Sequence, residues 1–125
     1  MRTFELGEVL AERSFVFEAE VGWSRTVEVK IGLPVQDHLP PATAWVCPFQ
    51  ILGLERDRVM GIFGVDALQA LILAIHSVPL ELAAFARETP GRFLWHGRIE
   101  TTLLSGCRTA LEFADEIFPD RELNS

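Results

Sequence analysis

Tyrosine is absent from the sequence, and lysine occurs once, at Lys30, against ten arginines. That bias suits a GC-rich bacterial genome and says nothing of chemistry. Cysteine is scarce as well. Cys47 and Cys107 stand 60 positions apart, which makes neither a disulfide framework nor a CxxC metal pair. Two reduced thiols in a cytoplasmic protein are the expectation. Long apolar runs are also missing. The longest candidate, Val65 to Val78, is interrupted by Asp66, Gln69 and His76 and followed by Pro79, so no membrane-spanning helix is expected. Met1 to Leu10 carries Arg2, Glu5 and Glu8 and has no stretch resembling a secretory signal. Positive charge is short overall: 11 basic residues against 18 acidic ones leave a net charge of −7. A field of that sign favours neither nucleic acid nor an anionic membrane as partner.

Apolar residues, by contrast, are plentiful at 49% of 125 residues, enough for a core without metals or disulfides. A single domain over 1–125 is expected, with 118–125 as a frayed acidic tail. Phe15-Val-Phe-Glu reads as a strand, Gly22-Trp-Ser-Arg as a turn, and Thr26 to Ile31 alternates with period two. Together they predict an antiparallel hairpin. Residues 32–43 hold three prolines and a glycine, which predicts a loop with neither helix nor ladder. Ala44 to Leu52 reads as a third strand. Pro48 within it has no N–H to give, so an edge or a bulge is expected there. Val59 to Phe63 returns as a fourth strand, completing an up-and-down meander, and Phe93-Leu-Trp suggests a short fifth.

The helix signal begins at Asp66, a good N-cap, with Gln69 three residues on as in a capping box. Val65, Leu68, Leu71, Ile72, Ile75 and Leu82 recur at helical spacing and predict the core face. Asp66, Gln69, Leu73 and His76 form the opposite stripe. Pro79 predicts a kink or break between Ile75 and Pro79, and Thr89-Pro-Gly a stop. Arg108 to Phe118 carries Ala110, Leu111, Ala114 and Ile117 at helical spacing, predicting a short second helix.

Chemical motifs are thin. Gly61 to Gly64 precedes a helix, as phosphate cradles do, but no P-loop Lys or Ser/Thr follows. Asp66 stands where the anion would lie, so a capped helix packed tightly on glycine is the simpler expectation. His38, His76 and His96 show no HxH or HExxH spacing, and no metal site or cofactor is expected. No GxSxG occurs, Cys47 sits in an apolar strand, and no catalytic residue is assigned. A pocket between loop 32–43 and the helix stripe would gather Asp66, Gln69 and His76, with His38 and Trp45 nearby, as a binding site or an interface.

Two longer stretches have a familiar form. Cys47-Pro-Phe-Gln-Ile-Leu-Gly fits a C-P-[FY]-x-I-x-G strand, and Gly64-Val-Asp-Ala-Leu-Gln-Ala-Leu fits a G-x-D-[AS]-x-Q-A-[LI] helix. Ile31-Gly-Leu-Pro precedes them as I-G-x-P. Over residues 8–85 the chain resembles a family of small bacterial domains of unknown function. The resemblance implies a small sheet followed by a helix and no assigned chemistry. The matching positions Cys47, Pro48, Gln50, Gly53, Gly64, Asp66 and Gln69 then read as structural.

The expected fold is α+β: a mainly antiparallel four- or five-stranded sheet, one long kinked helix on one face, and a short C-terminal helix. The expected function is a non-enzymatic protein-interaction module. It would act as a homodimer or on a protein partner, in one version as an immunity-type protein neutralising a basic toxin. The alternative is a small-molecule binder or enzyme using the pocket named above.

Overall fold

The computed structural model describes residues 2–39 and 44–99. Within them the expected meander is present. Strand β1 (Val9–Ala19) pairs antiparallel with β2 (Ser24–Gly32) through a turn in which Gly22 adopts φ 109°, and Ser24 and Arg25 already belong to β2. Strand β4 (Trp45–Leu52) pairs with β2 on one side and with β5 (Val59–Gly64) on the other. The helix α1 (Ala67–Glu88) then carries the chain back to β6 (Gly91–Trp95), which joins the free edge of β1, and β7 (Arg98–Ile99) pairs with β6. Among the described residues the sheet has seven strands, all paired antiparallel. Five are the longer ones read from sequence and two have only two residues. The predicted helix at Arg108 to Phe118 and the tail 118–125 lie outside the described residues.

Loop 32–43 holds one of the short strands. Val35 and Gln36 form β3, opposite Val46 and Trp45, so the loop does contribute to the ladder. Strand β3 continues β2 along the same side of β4. Between the pairs Ile31↔Phe49 and Val35↔Val46, residues 32–34 of one strand face only Cys47 and Pro48 of the other. One extra residue against a proline is a β-bulge, the expected consequence of the missing N–H at Pro48. The Gly32 carbonyl at the bulge accepts from Cys47 Sγ at 3.4 Å.

The inner face of the sheet carries Phe15, Phe17, Val27, Val29, Cys47, Phe49 and Phe93, all buried. Phe17 is the hub, its ring 4.9 Å from those of both Phe85 and Phe93. Large side chains from β4 and β5 (Trp45, Phe49, Met60 and Ile62) fill the space beneath the helix. The helix therefore turns its smaller side chains inward: Ala70, Ala74, Val78 and Leu82, four residues apart, are all fully buried. This corrects the expected core face. Of the six residues predicted for it, Leu82 is buried and Leu71 packs partly, while Val65 is 75% and Leu68 65% exposed, and Ile72 and Ile75 are exposed too. Periodicity finds the apolar side of a helix, but the size of the facing residues decides which side approaches the sheet.

α1 is one continuous helix of 22 residues with Pro79 inside it, so the expected break does not occur. Proline removes one i→i−4 bond, and burial of Pro79 against the core offsets that loss. The stop falls as expected: Thr89 caps the helix, its N–H donating to the Phe85 carbonyl at 2.8 Å. By length and composition alone this helix could cross a bilayer, which the broken apolar run did not suggest. Of its most apolar eighteen residues only 28% are buried, all by packing on the sheet side.

Candidate functional site

Each residue of the predicted pocket has a definite place. Asp66 and Gln69 form the capping box. Asp66 Oδ1 accepts from the Gln69 N–H at 2.8 Å, and Gln69 Oε1 accepts from the Val65 N–H at 2.7 Å. The Asp66 side chain satisfies a helix-terminal donor, while Gln69 accepts from the residue before the N-cap, so the box is shifted by one residue. His76 is exposed two turns further along α1. Trp45 packs against the inner core beneath the helix. His38 is exposed on the other side of the sheet, beside Val46 and Pro48, which point away from α1. The structure thus brings Asp66 and Gln69 together and places His38 across the sheet from them. Residues 40–43 of the loop lie outside the described residues.

The open pocket beside His38 measures about 240 Å³, and the N-terminal segment forms one of its walls. Arg2 Nη2 donates to Asp37 Oδ1 at 2.6 Å, and the Leu39 N–H donates to the same carboxylate at 3.3 Å. The Arg2 hydrogen bond is the main cause holding the Asp37 carboxyl below its ordinary range. The Arg2 guanidinium also stands 4.9 Å from the Phe4 ring centroid, and Phe4 meets Phe63 edge-on at 5.9 Å. This strap fastens the N-terminus over Gly61. The sequence reading missed it, because nothing in Arg2-Thr-Phe-Glu signals a partner 35 residues away.

Among the described residues no group of three or more His, Cys, Asp or Glu side chains could hold a metal. Cys47 is buried, and burial raises its pKa, so it stands as a protonated thiol at neutral pH.

Several large apolar side chains of α1 are exposed. On the flank of α1 above β5, Leu73 is 40% and Leu80 70% exposed, with Ile72 and His76 beside them on the outward side. On the opposite flank a groove of about 260 Å³ runs between α1 and the start of β1. Leu71, Ile75 and Val78 line it on one wall, and Leu10, Ala11, Val29 and Ile31 on the other.

A mainly antiparallel sheet with one helix across its inner face, an apolar flank turned outward and no clustered ligating groups among the described residues defines a small α+β domain. The chain belongs to the DUF6968 family, a domain of unknown function, whose model matches residues 11–103. No curated protein and no solved structure matches it.

Proposed function

We propose that this domain is a non-enzymatic protein-interaction module of the bacterial cytoplasm, and that it works by covering the outward side of α1 with a second copy or a protein partner. One observation carries this reading. The helix turns alanines to the sheet and leaves Leu68, Ile72, Leu73 and Leu80 to solvent. Exposed large side chains are ordinary when scattered, but four of them spread over the outward half of one helix mark a contact surface. A two-fold contact of helix against helix would use the same residues on both copies. The net charge of −7 makes a surface with basic groups around an apolar centre the complementary foreign partner, which is the immunity-type version.

The test is solution mass by light scattering across a salt series, with Leu80→Glu as the variant. A dimer that resists salt and becomes a monomer in L80E supports self-association. A monomer that captures a basic protein, with affinity falling as salt rises and lost in L80E, supports the foreign partner. A protein whose mass and binding are both indifferent to L80E refutes the reading.

A further inference from the structure

Among the described residues β5 pairs with β4 alone, so its other side is an open sheet edge. Proteins blunt such edges with charge, proline, a bulge or very short strands, because a bare edge recruits another strand. β5 has none of these devices. Its six residues, Val59-Met-Gly-Ile-Phe-Gly, carry no charge and no proline, and their register with β4 is unbroken. The Phe4 ring of the N-terminal strap lies over Gly61 on the face away from α1 and adds no strand to the ladder. The flank of α1 above this edge is open too. It lies opposite the groove and carries Leu73, Ser77, Leu80 and Ala84, spaced four, three and four as in a helix–helix seam. Leu73 and Leu80 are exposed. Ser77 Oγ donates to the Leu73 carbonyl at 2.8 Å, so that hydroxyl is satisfied within the helix and tolerates cover.

We propose, resting on the contact surface read on α1 above, that a second copy of this chain pairs antiparallel with the open edge of β5 about a two-fold axis at Gly61. The two sheets then form one, with the two α1 helices antiparallel and side by side on it. Three observations choose this occupant. First, one axis serves both surfaces. Gly64 stands against Ala70, and α1 runs back from there over Ile62 and Met60. Gly64 to Gly61 covers about 10 Å of strand, and Ala70 to Ser77 about 10.5 Å of helix, so Gly61 and Ser77 lie level. Leu73 and Leu80 fall on either side of that level, and the axis brings Leu73 of each copy to Leu80 of the other. α1 packs chiefly on β4 and β5. Midway between them, it lies about 5 Å from an axis half a strand spacing beyond β5. The two helices are then about 10 Å apart, the separation of packed helices. Second, the strand complements itself. Opposed residues of an antiparallel pair share a face. Met60 meets Ile62 of the other copy on the helix side, and Val59 meets its Phe63 on the far side. Third, the charges agree. Arg58 precedes β5 and Asp66 follows it, so antiparallel pairing brings the cation of each copy toward the anion of the other at both ends.

The test is oxidative crosslinking in a Cys107→Ser background, in which the buried Cys47 is the remaining thiol. Val59→Cys and Phe63→Cys are made as single variants and co-expressed. Opposed residues of antiparallel strands have Cα atoms about 4.5–5.5 Å apart, within disulfide reach. Val59 and its own counterpart are four residues out of register, about 13 Å apart and beyond that reach, and so are the two copies of Phe63. The expected product of mild oxidation is a covalent dimer with the mass of one V59C and one F63C chain, and no covalent dimer from either variant alone. Light scattering should find the wild-type chain dimeric. A wild-type monomer overturns the proposal, and so does a dimer whose co-expressed variants fail to crosslink or whose single variants crosslink equally well. Leu80→Glu separates this result from the broader reading. A dimer that L80E dissociates but that does not crosslink keeps α1 as a contact surface and removes the β5 edge from it.

Discussion

Gly64→Ala is the sharpest test of how the sheet and the helix meet. Gly64 ends β5, and α1 begins three residues later. A Cβ at this position would stand 2.9 Å from Ala70 Cα and 3.0 Å from the Gln69 carbonyl carbon, and closer still to the Ala70 amide nitrogen. Those atoms are helix backbone, fixed by the capping box of Asp66 and Gln69 and by burial of Ala70. Relief requires the first turn of α1 to lift from the sheet, and overpacking of this kind costs about 1–3 kcal/mol. Gly61→Ala supplies the contrast. Its Cβ would meet the Phe4 ring at 2.6 Å, but that ring belongs to the N-terminal strap and can swing away. The cost of G61A should be smaller and should nearly vanish in a Phe4→Ala background, whereas that of G64A should not change there. Urea unfolding followed by tryptophan fluorescence measures both, at constant m-value. A G64A protein within about 0.5 kcal/mol of wild type would refute the close contact.

Other expectations follow from the same contacts. Asp66→Ala removes the cap on the Gln69 N–H and should cost about 1 kcal/mol in urea unfolding, with lower helicity by circular dichroism. Leu82→Ala empties a fully buried position under α1 and should cost about 2–5 kcal/mol in the same assay. The carboxyl of Asp37 is held below its ordinary 3.8, chiefly by the Arg2 hydrogen bond, so its contribution to stability is present above about pH 4 and is lost as the pH falls through the lowered value. Asp37→Asn should therefore be less stable than wild type at neutral pH, and the difference should shrink on acidification below pH ~4. A constant difference across that range would show that the ion pair is not its source.

Much of this fold is legible in the residues. Alternation in Thr26 to Ile31 marks β2 and sets its buried side. Pro48 announces a bulge, since a residue without an N–H leaves its partner strand short of a bond wherever it lies. The capping box is readable because all of its contacts are local: Val65, Asp66 and Gln69 lie within one turn of chain. The predicted site residues divide on the same line. Asp66 and Gln69 are found together, whereas His38, on the far side of the sheet, is placed by strand pairing that no local spacing encodes.

What only the tertiary structure decided is which face each element turns inward and what lies against it. The apolar spacing of Val65, Leu68, Ile72 and Ile75 is as regular as that of Ala70, Ala74, Val78 and Leu82. The second set wins because Trp45, Phe49, Met60 and Ile62 already fill the space above the sheet. Gly64 then lets the backbones approach as closely as alanine allows. Continuity through Pro79 is likewise a tertiary result, since core contacts offset the one bond proline removes. Local sequence fixes where strands, caps and stops occur, because those depend on neighbours in the chain. The exposure of Leu68, Ile72, Leu73 and Leu80 on the outward half of α1 depends on volumes contributed by β4 and β5, and appears only once those strands are packed.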